Sequence, residues 1–339
     1  MEISIKETSV FKGIAICLML WHHLFHNTLE FGIISNHIGI FGKVCVSFFL
    51  FLSGYGLAKQ YDRFASNRLR YSLIFLVRKL AKFFMSYWFV FFIIIGIGLL
   101  LGRNLSEAYP NLNQYKSLIL DFLGQMGYSS YIPTWWFNKL IIQLYMLFPL
   151  LLTLFSRKWI GFVALIILGI IEQFSLINIF SVIEGGIFAF CLGIFIAIFP
   201  VNIKKSLPVV LIFTAIIITL IIIRFNLSNI RFTLIDTLFV ATFVGLFKTF
   251  CFSHYSFPIL AYLGKHSANM YMIHSFFIMM FPLFCYQTNV PIFIFLILLI
   301  VSLLSSIIVD KIRIISMYSF LEDKIIKHIT LKLFKYHQK

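Results

Sequence analysis

Residues 17–27 read CLMLWHHLFHN and set His22, His23 and His26 at the far end of an apolar run that opens at Val10. Imidazole titrates near neutrality, which suits it to take a proton from an alcohol or to carry an acyl group. Lys12 precedes His23 by eleven residues. On a helix that is roughly 16 Å of rise and almost a whole number of turns, so the cation and the imidazole share one face. His22 and His26, four apart, are neighbours on a second face. An H-x3-H pair can enter a zinc site, but a catalytic zinc takes three protein ligands and nothing nearby nominates a third. The simpler expectation for that pair is a histidine bonded to a carbonyl or to water. Two carboxylates interrupt other apolar stretches. Glu184, in FSVIEGGIFAF, has no cation close in sequence and is a candidate to orient or charge-balance a histidine. Asp236, in RFTLIDTLFV, has Arg224 and Arg231 close by, and a structural ion pair with one of them is expected.

These residues need elements to hold them, and the composition says what kind. The 339-residue chain is 61% hydrophobic and 12% charged, with a mean hydropathy of +0.97. A water-soluble domain has no interior large enough for that much apolar surface. Segment after segment reaches the length of a membrane helix with few charges. The expected fold is therefore an all-α integral membrane bundle of about ten helices, near 10–27, 38–58, 83–102, 135–155, 159–173, 178–199, 207–224, 231–250, 258–281 and 291–310. The first run has no small-residue cleavage site after it and reads as a resident span. The five cysteines are scattered, which argues against a disulfide framework or a thiolate metal site.

The net charge of +16 would suggest nucleic acid in a soluble protein. Here its distribution points elsewhere. With the N-terminus cytoplasmic, 22 of the 28 Lys and Arg fall on the inner side. That is the positive-inside pattern, with both termini inside the cell membrane. Residues 59–82 hold seven of those cations; they suit anionic lipid or a phosphorylated cytosolic ligand. Residues 1–310 read as the membrane domain. Residues 311–339 read as a basic amphipathic cytoplasmic tail that can lie at the interface. The longest outer loop, about 103–134, carries Pro, Gly and Asn punctuation and a short apolar patch, and is expected to fold as a lid lying on the membrane. In SFFLFLSGYGLAKQ (47–60), Ser53-Gly54 with Gly56 permits close backbone approach.

Five stretches, in order, resemble the membrane acyltransferase family 3. KGIAICLMLWHH (12–23) resembles its first-helix pattern, a basic residue followed eleven positions later by histidine, which selects His23 over His22. FFLFLSG (48–54) resembles the second-helix motif. RKLAKFFMSYW (78–88) resembles the basic start of the third helix, with Met85 where a proline is common. WWFNKLIIQLYMLFPLL (135–151) resembles the fourth-helix motif, and LGKHSANMYMIHSFF (263–277) the late motif ending on Tyr271 and His274. Many members carry a glutamate in the fourth-helix motif where this chain has Ile141 and Ile142, so it resembles the compact branch that lacks that acid.

The resemblance implies O-acyl transfer, acetyl in the first instance, from cytosolic acyl-CoA to a hydroxyl of a cell-surface or lipid-linked glycan. Acetyl-CoA would be a co-substrate, with no permanently bound cofactor or metal and no nucleic-acid partner. It implies His23 as general base or acyl carrier; Glu184 stays a catalytic candidate on the residue reading above, with the histidine it would orient left open. Lys12, Arg78, Lys79, Lys82 and Tyr87 would serve acyl-CoA. Ser53, Trp136, Tyr145, Ser267, Tyr271 and His274 would line the acceptor side. Trp135 and Trp136 could stack on a sugar, although anchoring at the interface is the commoner use of tryptophan. Tyr271 and His274 could equally mark a polar outer boundary. A transporter or flippase for a lipid-linked saccharide, or a polymerase, is the alternative; no inverted repeat of the transporter kind is visible.

Overall fold

A computed structural model describes residues 2–65, 72–174, 186–203, 206–226, 232–251 and 255–336. The described residues form helices and connecting turns, with no strand among them. In chain order the helices are α1 (Ile5–Phe25), α2 (Ile33–Gly42), α3 (Cys45–Ala65), α4 (Ser72–Leu100), α5 (Leu105–Ala108), α6 (Gln114–Phe122), α7 (Trp136–Leu154), α8 (Lys158–Phe174), α9 (Ile187–Ile198), α10 (Leu207–Asn226), α11 (Phe232–Leu246), α12 (Pro258–Met280), α13 (Pro282–Cys285), α14 (Pro291–Ile315) and α15 (Tyr318–Tyr336). Seven described helical segments are long and apolar enough to cross a membrane: Ile5–Phe25, Ile33–Asp62, Ser72–Leu100, Pro133–Leu154, Leu207–Asn226, Thr233–Cys251 and Pro291–Ile315. The other three expected spans correspond to α8, α9 and α12. Of these α8 has 17 residues, α9 has 12, and α12 is long but interrupted by Lys265, His266, Ser267, Asn269 and His274.

Two expected helices have different limits, for local reasons. The span expected at 38–58 is broken at Lys43 and Val44 into α2 and α3. The helix expected to begin at 83 is already helical at Ser72, the first residue described on this side, so Arg78, Lys79 and Lys82 lie within α4 and not ahead of it. Arg and Lys are good helix formers, and a hydropathy window that drops them cuts the helix short.

The chain divides into two compact units, one of residues 1–67 and 150–267, the other of 68–149 and 268–339. In the first, helices approach at backbone distance where glycine leaves room. A Cβ on Gly54 of α3 would stand 2.0 Å from the Phe190 carbonyl oxygen of α9, and one on Gly193 would stand 2.1 Å from that of Phe51. The close approach read from Ser53-Gly54 thus exists, and Gly54 makes it. In the same way α1 and α12 cross at Gly13 and Gly264, whose Cβ atoms would meet the carbonyls of Leu260 and Ser9. Arg224 and Asp236 pair inside this unit, Nε to Oδ1 at 2.6 Å and Nη2 to Oδ2 at 3.2 Å. Arg224 is thus a partner of Asp236; Arg231, like Glu184, lies outside the described residues.

In the second unit the core gathers Tyr87, Val90, Phe91, Ile94 and Ile95 of α4, Tyr109, Tyr131, Ile132 and Trp135 of the long loop, and Met272, Ile273 and Phe276 of α12. The loop between α4 and α7 is therefore not a lid spread over the helix ends. It folds back along α4. Phe122 stacks on Trp88 with ring centres 4.7 Å apart. Trp88 Nε1 donates to the Phe122 carbonyl and the Tyr87 hydroxyl to that of Asp121. Tyr87 is thirteen residues before the end of α4, roughly 20 Å at 1.5 Å per residue. Apolar residues of the loop (Leu118, Phe122, Met126, Ile132) drive this, because burial against α4 removes them from both water and headgroups.

Candidate active site

The histidine end of α1 is fixed by α2. Asn36 is buried, and its Nδ2 donates to the carbonyls of Phe25, His26 and Thr28 at 3.1 Å each. This satisfies carbonyls that a helix C-terminus leaves without partners. Trp21 Nε1 donates to the Ser35 carbonyl. His22 Nδ1 lies 2.8 Å from the Gly39 carbonyl, and His26 Nδ1 2.7 Å from that of His22. A carbonyl only accepts, so both Nδ1 atoms carry hydrogen. The carbonyl-bonded reading of the H-x3-H pair therefore describes both residues. The His22 and His26 rings stack with centres 4.1 Å apart, and the half-buried His23 ring stands 5.0 Å from His22 and 6.2 Å from His26.

At the other end of α1, Ser4 and Glu7 form a reciprocal cap, and Lys248 pairs with Glu7 at 2.5 Å. Lys12 stands about two turns inside this capped end and is half-buried. No hydrogen bond or ion pair is made to its ammonium among the described residues. Ser267, on α12, is buried and donates to the Gly264 carbonyl at 2.8 Å. Ser53 is half-buried on α3.

A carboxylate that sequence reasoning passed over completes this unit. Glu172, near the end of α8, is 0% exposed and its Oε2 accepts the Phe188 N–H at 2.9 Å. It thereby meets one of the open amides at the start of α9, where Gly186 turns with φ at +103°. The signal was present as a lone acid in LIILGIIEQF.

In the second unit, Arg78 and Lys82 are exposed on α4, four residues apart and so on one face. Lys79 lies over the Phe75 ring at 5.3 Å. Tyr87, grouped with these cations from sequence, is instead buried, with its hydroxyl given to the Asp121 carbonyl at 2.6 Å. It anchors the loop.

Asp121, in the loop, is a second carboxylate that the sequence did not single out. It is 0% exposed, and its Oδ2 accepts the Tyr109 hydroxyl at 2.8 Å and the Tyr131 N–H at 2.5 Å. Arg103 and Tyr131 close the same fold, the guanidinium donating to the Tyr131 carbonyl and the Tyr131 hydroxyl to that of Arg103.

The acceptor-side candidates of this unit divide sharply. Trp135 is buried with Nε1 donating to the Met272 carbonyl at 2.9 Å, so it belongs to the core and offers no face to a sugar. Trp136 is half-buried and stacks on Tyr128 at 5.2 Å. Tyr145 is half-buried on α7. Tyr271 donates its hydroxyl to the Thr134 carbonyl at 2.6 Å. His274 is 0% exposed; Nδ1 faces the Tyr271 carbonyl at 2.8 Å and Nε2 the Ser275 hydroxyl at 2.9 Å. Both ring nitrogens are thus engaged, which suits a positioning role better than proton transfer.

The first unit offers an imidazole cluster on α1 with an ammonium further along it that has no partner among the described residues; the second offers a cationic face on α4. No curated protein and no solved structure matches the chain. A family model described as acyltransferase domain matches residues 6–311. That match leaves out only the first five and the last 28 residues, and the chain belongs to acyltransferase family 3, as a multi-pass membrane acyltransferase.

Proposed function

We propose that the protein transfers an acyl group, acetyl in the first instance, from cytosolic acyl-CoA to a hydroxyl of a cell-surface or lipid-linked glycan. It would do so in the cell membrane with both termini inside, the orientation that the Lys and Arg distribution favours. The observation that carries the reading is Lys12. An ammonium at the centre of a membrane-spanning helix costs about 2.5–3.5 kcal/mol on insertion scales, and less towards the end where Lys12 lies. Lys12 is half-buried there with no carboxylate beside it among the described residues. An anionic ligand is the natural counter-charge, and CoA phosphates supply one. Arg78, Lys79 and Lys82 are assigned to acyl-CoA on their charge alone, since guanidinium and ammonium groups bind phosphates by charge-assisted hydrogen bonds. Tyr87 is assigned to the wall and not to the phosphates, since its hydroxyl is held by Asp121.

His23 takes the chemical role. In the direct route its imidazole accepts the proton of the sugar hydroxyl. The oxygen attacks the thioester carbonyl, the C–S bond breaks, and the thiolate recovers the proton from the imidazolium. In the two-step route the imidazole nitrogen attacks the thioester carbonyl, the C–S bond breaks and the thiolate takes the proton of the acylated ring; the sugar oxygen then takes the acyl group as the N–C bond breaks, and its proton returns to the ring. Ser53, Trp136, Tyr145, Ser267, Tyr271 and His274 are assigned to the acceptor side, His274 and Tyr271 through the residues they hold. Glu184 is assigned to the support of His23.

Membranes containing the protein, given acetyl-CoA labelled in the acetyl group, should move label into polysaccharide, and His23→Ala should stop it. Undiminished transfer by His23→Ala removes that residue from the chemistry. Glycan movement across the membrane with no label transferred would favour a transporter.

A further inference from the structure

Residues beyond 311 lie outside the matched acyltransferase domain, yet they are built into α4. At the end of α14 the chain reverses through Met317, whose φ of +55° is a left-handed conformation that a methionine adopts only at a cost. Contacts on both sides of the turn hold it. Arg313 donates through Nη2 to the Ser86 hydroxyl on α4 at 2.9 Å and also to Glu322 on α15. Its guanidinium lies 5.9 Å from the Tyr318 ring centre. Tyr318 in turn donates its hydroxyl to the Met85 carbonyl at 2.8 Å and packs on the Phe89 ring at 4.7 Å. Glu322 and Ile326, one turn apart, are buried on one face of α15, and α15 packs against α4. One guanidinium therefore ties three helices together, and the tie sits at Met85 and Ser86, one turn from Lys82 and two from Arg78.

We propose that the C-terminal helix is a strut that holds residues 72–86 of α4 in the conformation presenting Arg78, Lys79 and Lys82 to the acyl donor. Arg313, Tyr318 and Glu322 are its positioning residues. The assignment of those cations to the donor rests on the function proposed above; the strut itself does not. A bare helix bearing three like charges within five residues is weakened by their repulsion, and with no tie at its middle the segment would open more often.

The test uses the full chain in lipid nanodiscs with two substitutions, Tyr318→Phe, which keeps the ring and loses the donor, and Glu322→Ala. Amide exchange of residues 72–86 should rise about tenfold or more in each, with residues 90–100 unchanged. KM for acetyl-CoA should rise by about three- to tenfold while kcat stays within about twofold. A merely structural contact would lower the yield of folded protein, and kcat per total protein with it, without moving KM. Unchanged exchange over 72–86 in folded variants overturns the strut, whatever the activity. Raised exchange with KM unmoved in an enzyme that uses acetyl-CoA overturns its link to the donor. If the unaltered protein does not turn over acetyl-CoA, the donor assignment fails, while exchange still decides the strut.

Discussion

Asp121 offers the sharpest test of how the long loop is held. Its carboxylate receives two buried donors, the Tyr109 hydroxyl and the Tyr131 N–H. Asp121→Ala removes both acceptors, and a buried donor left alone costs about 1–3 kcal/mol. Two such donors set an upper range of about 2–6 kcal/mol. Part of that is returned, because Oδ1 is itself buried with no hydrogen-bond partner among the described residues, and truncation ends its desolvation. The Tyr87 bond is to the backbone of residue 121 and survives substitution. The expected loss in local stability is thus about 2–4 kcal/mol, or about 30- to 1,000-fold in exchange protection. Asp121→Asn keeps one acceptor oxygen for both donors and should lose only about 1 kcal/mol. The assay is amide exchange over residues 105–132 in nanodiscs, read by mass spectrometry. Loop protection within about threefold of the original in Asp121→Ala would refute the reasoning. So would an asparagine variant as damaged as the alanine one, since the argument turns on acceptors and not on charge.

Three further outcomes are expected from thermal unfolding in detergent. Glu172→Ala should destabilise by about 1–3 kcal/mol by leaving the Phe188 amide open, whereas Glu172→Gln, which keeps an acceptor, should stay close to the parent. Arg224→Met should cost about 3–5 kcal/mol because it strands the Asp236 carboxylate in the interior, and adding Asp236→Leu should recover most of it; no recovery would mean that the pair is not the source of the loss. Gly264→Ala places a Cβ 1.7 Å from the Ser9 carbonyl oxygen, and should cost about 1–3 kcal/mol as α1 and α12 are pushed apart, against little change for Gly96→Ala, where nothing lies within 4 Å.

Features that depend on neighbours along the chain are legible without a fold. Hydropathy accumulates over about twenty consecutive residues, so each of the ten expected spans has a helix near its place. The shared face of Lys12 and His23 follows from helical geometry alone. The Arg224–Asp236 pair was legible because only a short connection separates α10 from α11. The five motifs lie within the stretch that the family match later covered. Residues whose partners come from distant segments are different, because packing alone sets their environment. Trp135 and Trp136 are adjacent, yet one is sealed against Met272 and the other stacks on Tyr128. Tyr87 looked like a companion of the α4 cations, and a loop returning from residue 121 claimed its hydroxyl. Asp121 and Glu172 take their hydrogen bonds from partners outside their own helices, so their importance appears only once Tyr109, Tyr131 and the start of α9 are brought to them. The physical reason is common to all of these. A buried polar group must be satisfied by whichever donor or acceptor packing delivers, and that partner need not be near in sequence.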